Sequence, residues 1–146
     1  GMITLLHTGM DAGYMEENYA PVIEILEVIR DVAPEKLVLA HMGGWQSWKD
    51  VEKDLAGAPV WFDTAFSLGK ILPKPGHEGM LPYTENLPAE DFCRLTRKHG
   101  VNKVLFGTDS PWLDQGWYVN EIRTSGLNEK EQERVLFRNA AELLGI

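Results

Sequence analysis

Four short, almost wholly apolar runs punctuate the chain, at about Ile3–His7, Lys36–His41, Val60–Thr64 and Lys103–Thr108. Each reads as a strand, and none alternates cleanly between apolar and polar positions. The segments between them carry a helical period instead. In Tyr19–Val32, polar Glu24, Glu27 and Asp31 recur at spacings of three and four. Val22, Ile23, Leu26 and Ile29 fill the rest, so the pattern predicts an amphipathic helix that Pro34 stops. Trp48–Leu55 predicts a shorter helix. Ala89–His99 predicts another, with Pro88 at its start and Gly100 past its end. Asn128 followed by Glu131 has the spacing of a capping box, opening a helix that runs to Leu144 and closes on Gly145. Strands that are apolar on both faces and alternate with helices predict an α/β domain on a parallel sheet.

The strand ends carry the candidate chemistry. Side chains alternate along a strand, which puts Leu5 with His7, Leu39 with His41, Trp61 with Asp63, and Leu105 with Gly107 and Asp109. Every strand thus leads in the same direction to a polar residue at its C-terminal end, the edge where parallel α/β sheets and barrels collect catalytic groups. Two neutral imidazoles and a carboxylate converging there would hold Zn²⁺ or a similar divalent ion, so His7, His41 and Asp109 are the candidate ligands. The plainer readings are a buried polar residue for either histidine, and for Asp109 a turn former before Ser110-Pro111.

Other residues change the picture less. His99, in Arg97-Lys98-His99-Gly100, suits a helix C-terminus and is read as structural. His77 lies in Ser67–Leu87, a stretch too long for an ordinary connection, which is either a surface loop or a lid over the strand ends. Trp45 follows the Gly43-Gly44 turn and Trp112 follows the Asp109 turn. Both could wall an apolar or aromatic pocket, whereas Trp48, Trp61 and Trp117 read as core. Cys93 has apolar helical neighbours and also reads as core.

Composition sets the outer bounds. The 146 residues are 44% hydrophobic and 25% charged, as expected of one globular domain, and the net charge of −8 disfavours nucleic acid or an anionic membrane as partner. No apolar run reaches the roughly 20 residues that cross a bilayer, and no basic-then-apolar leader opens the sequence. A lone cysteine makes no internal disulfide, which fits the cytoplasm. Gly1 before Met2 reads as a tag remnant.

The order LLHTG, LAHMGG, VWFDTA, VLFGTDSPW and RNAAELLGI resembles the C-terminal half of the amidohydrolase superfamily. The likeness is to its branch of metal-dependent TIM-barrel hydrolases, which also holds decarboxylases and hydratases acting on carboxylated rings and lactones. The resemblance implies half of a (β/α)₈ barrel, about four parallel strands with flanking helices, spanning residues 1–146 as a single incomplete domain. It implies that His7 ends barrel strand five, His41 strand six and Asp109 strand eight. His7 and His41 would then be metal ligands, with Asp109 binding metal or taking a proton from the attacking water. By their positions along the chain, Asp63, His77, Trp45 and Trp112 are the candidate substrate contacts. The family's strand-one histidine pair and its strand-four lysine or glutamate have no counterpart here. The implied cofactor is a divalent metal, zinc in the first instance, and the implied substrate a small molecule. A half-barrel leaves apolar sheet edges, so a homodimer, or a separate chain carrying the other half, is the expected partner. The competing reading is a catalytically inactive half-barrel that assembles or binds.

Overall fold

Each of the four apolar runs forms a strand shorter than its pattern predicts. In the computed structural model, which describes residues 1–12, 16–69 and 86–146, they are β1 (Thr4–Leu6), β2 (Leu37–Leu39), β3 (Trp61–Asp63) and β4 (Val104–Leu105). All pair in parallel, in the order β1-β2-β3-β4. Sequential order with a helix in each crossover is the unit from which α/β barrels are built. The sequence prediction of four parallel strands with flanking helices therefore holds.

The helices follow the signals in the sequence, except that the first begins at Val22 rather than at Tyr19. Helix α1 (Val22–Val32) starts after Pro21, and Ala33 closes it in a left-handed conformation just before Pro34. Helix α2 (Trp48–Asp50) runs on as a π-helical turn through Val51–Leu55. Helix α3 (Ala89–His99) follows Pro88 and ends at Gly100. At the C-terminus, α5 (Glu129–Glu133), a π-helical segment (Arg134–Arg138) and α6 (Asn139–Leu144) form consecutive helical stretches. They open on a complete Asn128–Glu131 capping box and close on left-handed Gly145. One helix has no warning in the pattern, α4 (Gln115–Thr124). It buries only Tyr118 and Ile122, too narrow a stripe to give a period.

Register separates the two faces of the sheet. Leu6, Leu39, Phe62 and Val104 are aligned across the strands, and Leu39, Phe62 and Val104 are fully buried against the helices. Val22 and Ile25 of α1, Val51 and Leu55 of the π-helical turn, Phe92 and Leu95 of α3, and Tyr118 and Ile122 of α4 complete this core. Leu5, Val38, Trp61 and Leu105 point the other way. Leu5 pairs with Val38, so Leu39 belongs to the helix side. Among the described residues the second face is covered at one end only. Leu143 and Ala140 of α6 pack on Val38 and Leu105, and Asn139 anchors α6 by donating to the carbonyls of Val101 and Val104, both at 2.7 Å. Towards β1 the face is open, and Leu5 is 61% exposed.

Candidate metal centre

All four strands do deliver a polar side chain to the C-terminal edge, though alternation does not account for how they meet. By strand parity His7 and His41 belong to opposite faces, because Leu5 pairs with Val38 rather than Leu39. The chain resolves this by leaving β geometry after Leu39. His41 (φ 60°) and Met42 (φ 53°) adopt left-handed conformations, Gly43 follows at φ 83°, and the turn swings the His41 ring over to His7. Left-handed non-glycine residues cost on the order of 1 kcal/mol each and persist only where the surroundings hold them. Here the hold is complete. The Asp63 carboxylate accepts from His41 N–H at 3.0 Å, and the Asp63 carbonyl accepts from Met42 N–H at 2.7 Å. Trp48 Nε1–H donates to the His41 carbonyl at 3.0 Å.

The two rings meet nearly edge to face, 4.7 Å between centroids, with His41 Nε2 at 3.0 Å from His7 Nδ1. The outer nitrogens fix the protonation pattern. His41 Nδ1 lies 2.9 Å from the Ala65 carbonyl and His7 Nε2 lies 3.0 Å from the Met10 carbonyl. A carbonyl oxygen only accepts, so both outer nitrogens carry the proton and donate. In neutral imidazoles the two inner nitrogens then hold lone pairs, aimed at one another. That arrangement suits a cation shared by the two rings. A histidine that ligates metal with one nitrogen while donating its other N–H to a carbonyl is the usual arrangement of such sites.

The carboxylates are placed differently. Asp63 is 8% exposed, and one of its oxygens accepts from both His41 N–H and Ala65 N–H at 3.0 Å. Burial pushes its pKa up, and the charge of Asp109 adds to the rise, while the two backbone donors and His41 oppose it. Asp109 is thus within electrostatic reach of Asp63, on an exposed turn with φ 57°, a conformation aspartate tolerates better than most residues. His7, His41 and Asp109 all stand at this edge. Among the described residues, however, no group of three His, Cys, Asp or Glu side chains converges closely enough to cage an ion.

The remaining candidates divide. Trp45 is 1% exposed and packs in the core against Phe66, with its Nε1–H directed at the Asn86 side chain at 3.4 Å. Its backbone fastens the β1 loop, accepting from Met10 N–H and donating to the Thr8 carbonyl, both at 2.9 Å. Gly9 lies so close beneath it that a Cβ would stand 2.3 Å from Trp45 N. Trp112 is 53% exposed beside the Asp109 turn. His77 lies outside the described residues, as does most of the stretch read as a loop or lid. Cys93 is buried, with its thiol donating to the Ser125 carbonyl. Sequence reasoning missed the supports. Trp48, the carbonyls of Met10 and Ala65, and Tyr118 act through folded geometry alone. The Tyr118 hydroxyl accepts from Ser67 and Leu68 N–H at 2.9 and 3.0 Å and donates to the Thr64 carbonyl, pinning the loop that carries Ala65.

A half-barrel sheet with histidines on adjacent strand ends defines a class, and the family profile for amidohydrolase matches residues 1–146. The chain belongs to the amidohydrolase family. Solved structures share its fold at low identity. One, from Pseudomonas putida and assigned as a 2-pyrone-4,6-dicarboxylic acid hydrolase, is 15% identical with a TM-score of 0.61, covering 98% of this chain and 63% of that one. An amidohydrolase from Burkholderia multivorans with bound zinc is 14% identical with a TM-score of 0.58, covering 87% and 51%. A dihydroxybenzoic acid decarboxylase from Polaromonas with bound manganese and the inhibitor 2-nitroresorcinol is 13% identical with a TM-score of 0.52, covering 75% and 33%. The matched region thus spans between a third and two thirds of these larger chains. Among curated proteins, nothing matches. Among the described residues no helix is long and apolar enough to cross a membrane.

Proposed function

We propose that this chain is the metal-binding half of a hydrolase or decarboxylase acting on a small carboxylated ring, lactone, ester or amide. The observation that carries the reading is the facing lone pairs of His7 Nδ1 and His41 Nε2, each ring held by an N–H to a backbone carbonyl. Two neutral imidazoles on parallel strand ends suit Zn²⁺ or Mn²⁺, and solved structures of this fold hold both ions. A divalent cation held there supplies an acidified water and a Lewis acid for a substrate carbonyl or carboxylate. Asp109, exposed at the same edge, is the third ligand or the acceptor of the proton. Asp63 holds the His41 turn and shares the local charge with Asp109. Trp112 and His77 are assigned to substrate contact, and Trp45 to the loop beneath His7 rather than to an open wall.

A second reading has its own support. No third ligand converges with the histidine pair among the described residues, which suits a binding or assembly domain whose site is completed by another chain. The open end of the second sheet face, with Leu5 exposed, is where a second copy or a chain carrying the other half-barrel would pack. Calorimetry with Zn²⁺ on the wild type, His41→Ala and Asp109→Ala separates these ideas. The first reading expects binding that falls at least tenfold in both variants. Equal binding by all three would place the metal elsewhere. Loss in His41→Ala alone would leave a two-histidine site and favour the second reading.

A further inference from the structure

The loops that carry the two histidines are laced together by hydrogen bonds between their backbones. After β1 the Thr8 carbonyl accepts from Trp45 N–H at 2.9 Å, and Met10 N–H donates to the Trp45 carbonyl at 2.9 Å. Thr8, fully buried, adds a third link, its hydroxyl donating to the Ala40 carbonyl at 2.7 Å. Between the two backbone bonds stands Gly9, whose own N–H donates to the Ala20 carbonyl at 3.1 Å. Gly9 therefore bridges two backbones at once, parallel to Trp45 and antiparallel to Ala20. We propose that Gly9 is the positioning residue of the metal centre: its missing side chain lets the two loops close, and that closure aims His7 at His41.

The geometry leaves no room for a side chain. A Cβ at Gly9 would stand 2.3 Å from Trp45 N, 2.4 Å from the Trp45 carbonyl oxygen and 2.6 Å from the carbonyl carbon of Gly44. All three are backbone atoms, so nothing can swing aside, and a φ of 84° penalises an L-residue in its own right. An added Cβ must part the β1 loop from the β2 loop. The consequence for the site runs through one carbonyl. His7 Nε2–H donates to the Met10 carbonyl at 3.0 Å, and Met10 is held by its N–H on Trp45. The His41 ring is held separately, by the Ala65 carbonyl at 2.9 Å. Parting the loops releases His7 and leaves His41 in place. Partners that orient a ligating histidine in this way are worth roughly 10–100-fold in metal affinity.

This role of Gly9 rests on the histidine pair being the metal site, and the measurements separate the two claims. Gly9→Ala should lower Zn²⁺ affinity by roughly 10–100-fold in calorimetry. In a His7→Ala background the same change should cost nothing further, because Gly9 acts through His7; a general loss of stability would not give that result. In the metal-free protein the nuclear Overhauser effect between the His7 and His41 rings, whose centroids are 4.7 Å apart, should be present in the wild type and absent from Gly9→Ala. Thr8→Val removes one link with little change of shape. It should bring a several-fold loss of affinity and a weaker ring contact, and it decides the matter should Gly9→Ala not fold. If the wild type binds no Zn²⁺, the metal reading falls and the ring contact still tests Gly9. Wild-type affinity in either variant, a further loss on top of His7→Ala, or a ring contact missing from the wild type or kept in Gly9→Ala would overturn the proposal.

Discussion

His99 and the His7–His41 pair are histidines in one small fold with opposite hydrogen-bond arithmetic. His99 ends α3, is 4% exposed and lies flat on Phe62 with ring centroids 3.6 Å apart. Its Nδ1 accepts from Gly57 N–H at 3.2 Å and its Nε2–H donates to the Val60 carbonyl at 3.1 Å. One donor and one acceptor satisfy a neutral imidazole fully, and nothing is left over to bind. Burial, with Lys103 adding to it, depresses its pKa to about 4 although the Val60 contact acts in the other direction. The reading of His99 as structural therefore stands, with a neutral ring rather than a cation at the helix end. At the opposite edge both histidines spend their N–H groups on carbonyls and keep lone pairs facing each other. A complete imidazole builds the core; a pair with facing lone pairs is the candidate site.

The largest test of that contrast is to delete the complete one. His99→Ala removes a stacked ring and two buried hydrogen bonds, and should destabilise the fold by about 3 kcal/mol in denaturant titration. Zn²⁺ affinity of the folded fraction should be unaffected. A variant as stable as the wild type would remove His99 from the structural column. The incomplete pair should behave in reverse. At a hundredfold excess over its Kd, Zn²⁺ should stabilise the wild type by about 2.7 kcal/mol and raise Tm by about 10 °C. His41→Ala should lose that rise while giving up less stability than His99→Ala. An equal metal-induced shift in both proteins would show that the facing nitrogens are not the ligands.

The smallest effect is in pH. Unfolded His99 takes its proton near 6.5, whereas the folded ring resists until about pH 4. The unfolded state therefore binds more protons between those values, and stability falls as pH drops through the window. The contribution is about 2 kcal/mol between pH 6.5 and 4.5. His99→Phe should flatten that part of the stability–pH curve, and an unchanged slope would assign the acid sensitivity to other groups.

The architecture was legible because it rests on local signals. Apolar runs, Pro34, Pro88, Gly100 and Gly145, and the Asn128–Glu131 box set the helix and strand order through backbone chemistry that acts within a few residues. Helix α4 escaped because two buried residues in ten make no period. At the site, His7, His41 and Asp109 were legible as strand-end polar residues. Their supports, Trp48, Tyr118 and the Met10 and Ala65 carbonyls, were not, since a carbonyl's partner is set by where a loop passes in space.

By itself, the sequence determined the parallel α/β order, the family, and the delivery of histidines and aspartates to one edge. Only the tertiary structure decided which of them meet. Side-chain alternation has a period of two, and parallel register sets Leu5 against Val38, so the strands alone would send His7 and His41 to opposite faces. A left-handed turn at His41, held by Asp63 and Trp48, reverses that outcome and brings the rings to 3.0 Å. The sequence around His41 does not announce such a turn, because its cost is offset by contacts from residues as far away in sequence as Asp63.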